Sequence, residues 1–211
     1  MGNLLFHLQF PPPEMAMGIV HNVLFESLEN FEVYVDPDAK VTLLNGIATL
    51  DTGSAGGHYA MLSRYIPLPT ELYTWNKKRT FRIKVSPYIA DDTDLNCFIG
   101  FGNISGYLQY IGFKFYPTKI TGIWSDLYTP SEVDLITGLA PPLTTPMLLK
   151  IVFNPGENIK FYIDEVLLAT VDNDLPSGTP YAEWIFNSML YNNTDVQHTL
   201  SFSQLRFDQD L

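Results

Sequence analysis

In the run TFRIKVSPYI, Phe81, Ile83 and Val85 alternate with Arg82 and Lys84, and this two-residue period returns in short runs along most of the chain. A side-chain period of two belongs to a strand with one dry and one wet face, not to a helix. FEVYVDPDAKVTLLNGIATLDTG alternates through Phe31, Val33 and Val35, turns at Pro37-Asp38, and carries Asn45-Gly46, a strong hairpin signal. CFIGFGNISGYLQYIGFKFYP reads as two strands joined by a Gly- and Asn-bearing turn, and KITGIW and SEVDLITGL as two more. PMLLKIVFNPGENIKFYIDEVLLATV reads as a meander of three, and TLSFSQLRFDQDL closes the chain through Leu200, Phe202 and Leu205. PLPTELYTW and VLFESLENF are the two places with room for a short helical turn. Strands at intervals of roughly 8–12 residues, separated by turn chemistry, make an antiparallel sandwich or barrel.

Aromatic residues, 14% of the chain with 12 Tyr and 14 Phe, fit the same reading, because broad rings pack well on a pleated sheet. A chain of 211 residues is enough for one well-buried core, so one sandwich over residues 18–211 is expected. Residues 1–17 are read as a separate arm. Leu4, Leu5, Phe6, Leu8 and Phe10 are apolar, and Pro11-Pro12-Pro13 stiffens the chain between them and the sandwich.

The balance of 12 basic against 23 acidic residues gives a formal charge of −11 and argues against nucleic acid or an anionic membrane as partner. The beginning of the chain has neither a basic n-region nor a small-residue cleavage site, and Phe6 breaks the myristoylation pattern. The expectation is a protein made in the cytoplasm without a signal peptide. Cys97 is the one cysteine, so no internal disulfide forms, and it is expected to be a buried, inert thiol.

IKFYIDEVLLATV sets Asp164 and Glu165 side by side between two apolar runs. Carboxylates that hydrolyse a glycoside face each other across a cleft, roughly 5–10 Å apart. Neighbours at a two-residue turn point apart, so this pair is read as a hairpin corner. No G-x-S-x-G elbow is present, GFGNISG lacks the glycine spacing of a phosphate loop, and no catalytic residue is assigned.

LKIVFNPGENIKFYIDEVLLATVDNDLPSG resembles the C-terminal part of concanavalin A-like lectin/glucanase jelly rolls, including laminin-G-like domains. In those, a strand ending in an F-Y-I-D-G-type corner precedes another strand and a D-x-x-L-P turn. TFRIKV, CFIGFG and IGFKF match the preceding strands, and VTLLNGIATLDTG the opening hairpin. The resemblance covers about residues 18–211 and departs at Glu165, where glycine is common. It implies an all-β, two-sheet antiparallel jelly-roll sandwich with one concave face, used for glycans, protein partners or catalysis. The E-x-D-x-x-E run of the glucanases is missing: Glu132-Val133-Asp134 is followed by Leu, Ile and Thr. An enzyme is therefore not expected.

The resemblance directs attention to aromatic side chains for sugar stacking. Tyr107, Tyr110, Trp124 and Tyr128 lie near turns or on faces that alternation leaves partly wet, and are the glycan-binding candidates. Calcium is weighed at Asp91, Asp92 and Asp94 in IADDTDLN against a solvated acidic loop, and the loop is favoured. His58, after Gly56-Gly57, suits a stacking or hydrogen-bonding residue at a rim and a turn residue next to a strand start equally well, and scattered histidines give no metal site. Asn103 and Asn192 head two sequons. Leaderless lectin-like jelly rolls resemble the decoration and fibre proteins of virus particles. The expected role is a non-catalytic, homo-oligomeric interaction protein docked on such an assembly through the arm, with a stand-alone carbohydrate-binding module as the alternative.

Overall fold

The computed structural model describes residues 18–210 apart from 24, 28–30, 66–73, 92–94, 104–108, 128 and 179–183. The arm, residues 1–17, and most of the two helical-turn candidates lie outside the described residues. The elements run β1 Gly18–Val23, β2 Glu32–Val35, β3 Lys40–Leu44, β4 Ile47–Asp51, β5 Tyr59–Tyr65, β6 Arg79–Tyr88, β7 Asn96–Gly102 and β8 Tyr110–Phe115. They continue as β9 Lys119–Ser125, β10 Pro130–Thr137, β11 Met147–Asn154, β12 Asn158–Ile163, β13 Val166–Val171, β14 Trp184–Tyr191 and β15 Thr199–Asp210. All pairings among the named strands are antiparallel, in two sheets. An eight-stranded sheet has the order β13-β12-β11-β6-β15-β4-β3, with β1 alongside β15, and a seven-stranded sheet the order β10-β9-β8-β7-β14-β5-β2. The expected two-sheet sandwich is the observed fold.

The sheets are joined by interleaved rings. Phe113 of β8 meets Phe161 of β12 edge to face at 5.6 Å, Phe101 of β7 meets Phe207 of β15 at 5.6 Å, and Phe186 of β14 meets Phe202 of β15 at 5.2 Å. Each of these rings is at most 1% exposed. Such pairs add about 0.5–1.5 kcal/mol each beyond the area they bury. Space for one of them is made by Gly122 on β9, where a Cβ would come within 2.8 Å of the Phe161 ring. Trp75 closes one end of the core between Phe101 and Phe153, with the Arg79 guanidinium 4.6 Å above its ring. Cys97 is fully buried, and desolvation pushes its thiol pKa well above the ordinary value, so no thiolate is available at neutral pH.

The hairpins follow the turn chemistry. Asn45 and Gly46 both take positive φ, 52° and 76°, the signature of a type I′ turn. Asp164 and Glu165 do the same, at 49° and 65°. The Asp164 Oδ1 accepts the Leu148 N–H at 2.8 Å, and Glu165 pairs with Arg82 and with Lys150. Both carboxylates are tied to the neighbouring strands, and the pair is a corner.

At one rim the loops after β4 and β14 are bound together by buried polar groups. Asn192 is fully buried; its Oδ1 accepts the His58 N–H at 3.1 Å, and its Nδ2 donates to Ala55 O and Val196 O. This sequon asparagine is a structural clamp with no amide free for a glycan. Asp51 sits nearby, its Oδ1 taking hydrogen bonds of 2.9 Å from both the Gln197 side chain and the Gly53 N–H, with Lys40 3.3 Å from its Oδ2. Burial alone would raise the Asp51 pKa; the Gln197 and Gly53 hydrogen bonds and Lys40 outweigh it and hold the carboxyl below the usual value.

A carboxyl whose pKa is lowered on folding stabilises the fold above its unfolded value, about pH 4, and loses that contribution as the pH falls through the lowered value. Thermal melts of the wild type and Asp51→Asn from pH 7 to pH 2 should show a wild-type advantage that is constant above about pH 5 and shrinks below about pH 4. An advantage independent of pH contradicts this role.

Candidate functional site

The wet face of β6 predicted by its alternation is the outer face of the eight-stranded sheet. Phe81, Ile83 and Val85 are fully buried in the core, which turns Arg82, Lys84, Ser86 and Tyr88 outward. Pairing register extends these positions into rows across the sheet. One row reads Thr42, Thr49, Ser201, Ser86, and the row beside it carries Leu44 paired with Ile47, and Ser203 paired with Lys84. Between these rows lies a groove of about 480 Å³, lined by Thr42, Leu44, Ile47, Thr49, Lys84, Ser86, Ser201, Phe202 and Ser203. The Thr49 and Ser201 hydroxyls are hydrogen-bonded to each other at 2.8 Å on its floor.

Its chemistry is mixed. Five hydroxyls supply donors and acceptors, Leu44 (71% exposed) and Ile47 (44%) supply exposed apolar surface, and Lys84 supplies one cation. Tyr88, 45% exposed, stands one outward position, about 7 Å, beyond Ser86 along β6. Such a surface matches a ligand with many hydroxyls and intervening CH faces. Its signal in the sequence is the alternation of TFRIKVSPYI, which, continued for two more outward positions, reaches Ser86 and Tyr88. The hydroxyls of β3, β4 and β15 join them only through sheet register, which one strand does not contain.

The aromatic candidates fall elsewhere. Tyr110 is 1% exposed and Trp124 is 2% exposed, so the expectation that alternation leaves them partly wet is corrected. Both lie on interior strands of the seven-stranded sheet, which is buried on both faces there. Trp124 points into the core, tilted against Phe161 at 6.3 Å, and its Nε1 donates to Asn173 O at 3.0 Å. Tyr110 points to the other side but packs with Phe98, edge to face at 5.7 Å, and with Ile123. That packing needs Gly112, where a Cβ would come within 2.4 Å of the Phe98 ring. Tyr107 and Tyr128 lie outside the described residues, as do Asp92 and Asp94. Asp91 is exposed and borders a hollow of about 190 Å³ with Tyr116, Pro117, Thr118 and Lys119. Among the described residues, no group of three or more His, Cys, Asp or Glu is placed to hold a metal. His58 immediately precedes β5, 3.8 Å from Asp38.

The remaining paired acids, Glu132 and Asp134 on β10, are engaged by neighbours. The Tyr116 hydroxyl donates to Glu132, whose Oε1 also lies 3.6 Å from Lys114, and Lys119 lies 2.8 Å from Asp134. The hydrogen bond to Asp134 raises the Lys119 pKa, so the cation persists through the neutral range.

No family model and no characterised protein sequence matches the chain. Solved structures do. One is a protein of unknown function from Shewanella oneidensis MR-1, at TM-score 0.65 and 10% identity over 92% of this chain and 87% of that one. Another is a botulinum neurotoxin type C that depends on interaction with two ganglioside molecules to enter cells, at TM-score 0.60 and 8% identity over 84% of this chain. The binding domain of botulinum neurotoxin DC in complex with rat synaptotagmin II aligns at TM-score 0.60 and 8% identity, again over 84% of this chain. The chain spans 42% of the type C chain and 43% of the DC chain. At these identities the likeness is one of fold: a two-sheet β-sandwich of the kind found in toxin binding domains.

Proposed function

We propose that this protein is a non-catalytic glycan-binding β-sandwich whose ligand lies in the groove on the outer face of the eight-stranded sheet. The observation that carries the reading is the groove itself: five hydroxyls, exposed Leu44 and Ile47, and no carboxylate among its lining residues. Hydroxyls in fixed register pair with sugar hydroxyls, and the aliphatic side chains and Tyr88 accept the CH faces of the rings. The sandwich likeness to toxin binding domains that engage gangliosides or a protein receptor supports the same class of role.

The test is a glycan panel followed by titration with the double variant Ser86→Ala/Ser203→Ala. Each lost hydrogen bond is worth about 0.5–1.5 kcal/mol, so the pair should weaken binding roughly tenfold or more while the melting temperature moves little. Unchanged affinity removes the groove from the site.

A second reading concerns where the sandwich is carried, and an exposed sheet edge favours it. β13 is an edge strand with no charge and no proline between Glu165 and Asp172, and Val166, Leu167 and Leu168 are 59%, 49% and 36% exposed. Such an edge invites another strand. The segment Leu4 to Phe10 alternates Leu4, Phe6, Leu8 and Phe10, as an added strand would. In the same molecule it would have to cross from β1 to beyond β13, about 29 Å at 4.8 Å per strand. The chain between Phe10 and Gly18, stiffened by three prolines, reaches at most about 27 Å. We infer that the arm adds to the β13 edge of a second copy, which spares it a fully extended crossing of its own sheet, as in a homo-oligomeric component of a larger assembly such as a virus particle. By light scattering, the full chain should form oligomers and the version lacking residues 1–17 should be a folded monomer. Two monomers overturn the assembly role.

A further inference from the structure

The outer face of the eight-stranded sheet differs in charge from the molecule as a whole. The chain has 12 basic and 23 acidic residues, yet Arg82, Lys84, Lys150, Lys160 and Arg206 all turn out from this one face. Their orientation follows from their neighbours: Phe81 and Ile83, Leu149 and Ile151, Ile159 and Phe161, and Leu205 and Phe207 are all buried. Register brings Arg206, Arg82 and Lys150 into one row, with Tyr162 beyond them and the Lys150 ammonium 4.8 Å from its ring centroid.

Local acids occupy part of this set. Glu165 holds both Arg82 and Lys150, and Asp208 holds Arg206. Asp51, one outward position beyond Thr49 in the row that carries Tyr88, is committed to Lys40, Gln197 and Gly53. Lys84 differs from the rest. It is exposed, it lines the groove, none of the other lining residues is acidic, and no described carboxylate lies within 4.0 Å of its ammonium. A lysine without a carboxylate partner, in a groove lined by no acid, attracts a negative charge brought by the ligand.

We propose that the groove takes an acidic sugar, one bearing a carboxylate or sulfate group, with that anion placed against Lys84 and the sugar hydroxyls against Thr49, Ser86, Ser201 and Ser203. This inference rests on the glycan-binding reading and adds the ligand class. It also gives the excess acid elsewhere a part in recognition: an anionic ligand is repelled from most of the surface and admitted on one face.

The experiment uses the full chain and oligosaccharides in matched pairs that differ in the anion alone: oligogalacturonate tetramer with its methyl ester, 3′-sialyllactose with its sialic acid methyl ester, and 3′-sulfolactose with lactose. Each is titrated against the wild type, Lys84→Gln and Lys84→Arg at low salt and at 0.5 M salt. The expected result is binding of at least one acidic member, tenfold or more tighter than its neutral partner. Lys84→Gln and high salt should erase that preference, and Lys84→Arg should keep it. Because Lys84 is exposed, Lys84→Gln should melt with the wild type, so a lost preference reports on recognition. Equal binding of acidic and neutral members, unaffected by Lys84→Gln, overturns the acidic-sugar assignment and leaves the glycan reading standing. No binding by any member of any pair overturns both.

Discussion

The structure depends on the aromatic layer between its two sheets. Phe113 against Phe161, Phe101 against Phe207 and Phe186 against Phe202 join strands of opposite sheets, and each ring lies on the inward side of its strand. With the inward set fixed, a one-residue slip of these strands would turn their rings away from the core, and a slip of β3 or β4 would do the same to Val41 and Leu43 or to the buried Ala48 and Leu50, so register is fixed as well. Register is what builds the groove, because Thr42, Thr49, Ser201 and Ser86 come from four strands and form a row only when each is correctly paired. The core thus positions the candidate site, and Phe202 borders the groove while its ring lies in the core.

The two sheets have different outer faces. The seven-stranded sheet is buried on both sides along β7, β8 and β9, with Phe98, Tyr110 and Ile123 packed against each other away from the inter-sheet core. The eight-stranded sheet keeps its alternation: β6 and β11 are buried at every second residue and wet between. Water-facing polar side chains in register can bind something, whereas rings sealed into a second apolar cluster contribute to stability. This difference separates the groove from Tyr110 and Trp124.

Legibility in the sequence divides along the same line. β6, β11, β12 and β15 show their period in the residues themselves, and the corner at Asp164-Glu165 is legible from turn chemistry even though a glutamate occupies a left-handed position. β14, WIFNSMLY, does not announce itself as a strand, because five of the six positions after Trp184 are buried, on both faces of the sheet, which removes the alternation. The same cause separates Trp124 and Tyr110 from their expected places: a two-residue period implies one wet face, and these strands have none. The groove depends on which strands are neighbours. β4 and β6 are both partners of β15, a strand more than a hundred residues further along, and nothing local to either one announces it.

On the proposed reading, ligand recognition belongs to the outer face of the eight-stranded sheet. The most direct measurement is the set of backbone amide shifts in nuclear magnetic resonance spectra of the isotopically labelled chain on adding a bound oligosaccharide. The perturbed amides should cluster at Thr42, Thr49, Lys84, Ser86, Ser201 and Ser203. Perturbations confined to β7, β8 and β9 of the seven-stranded sheet would contradict it.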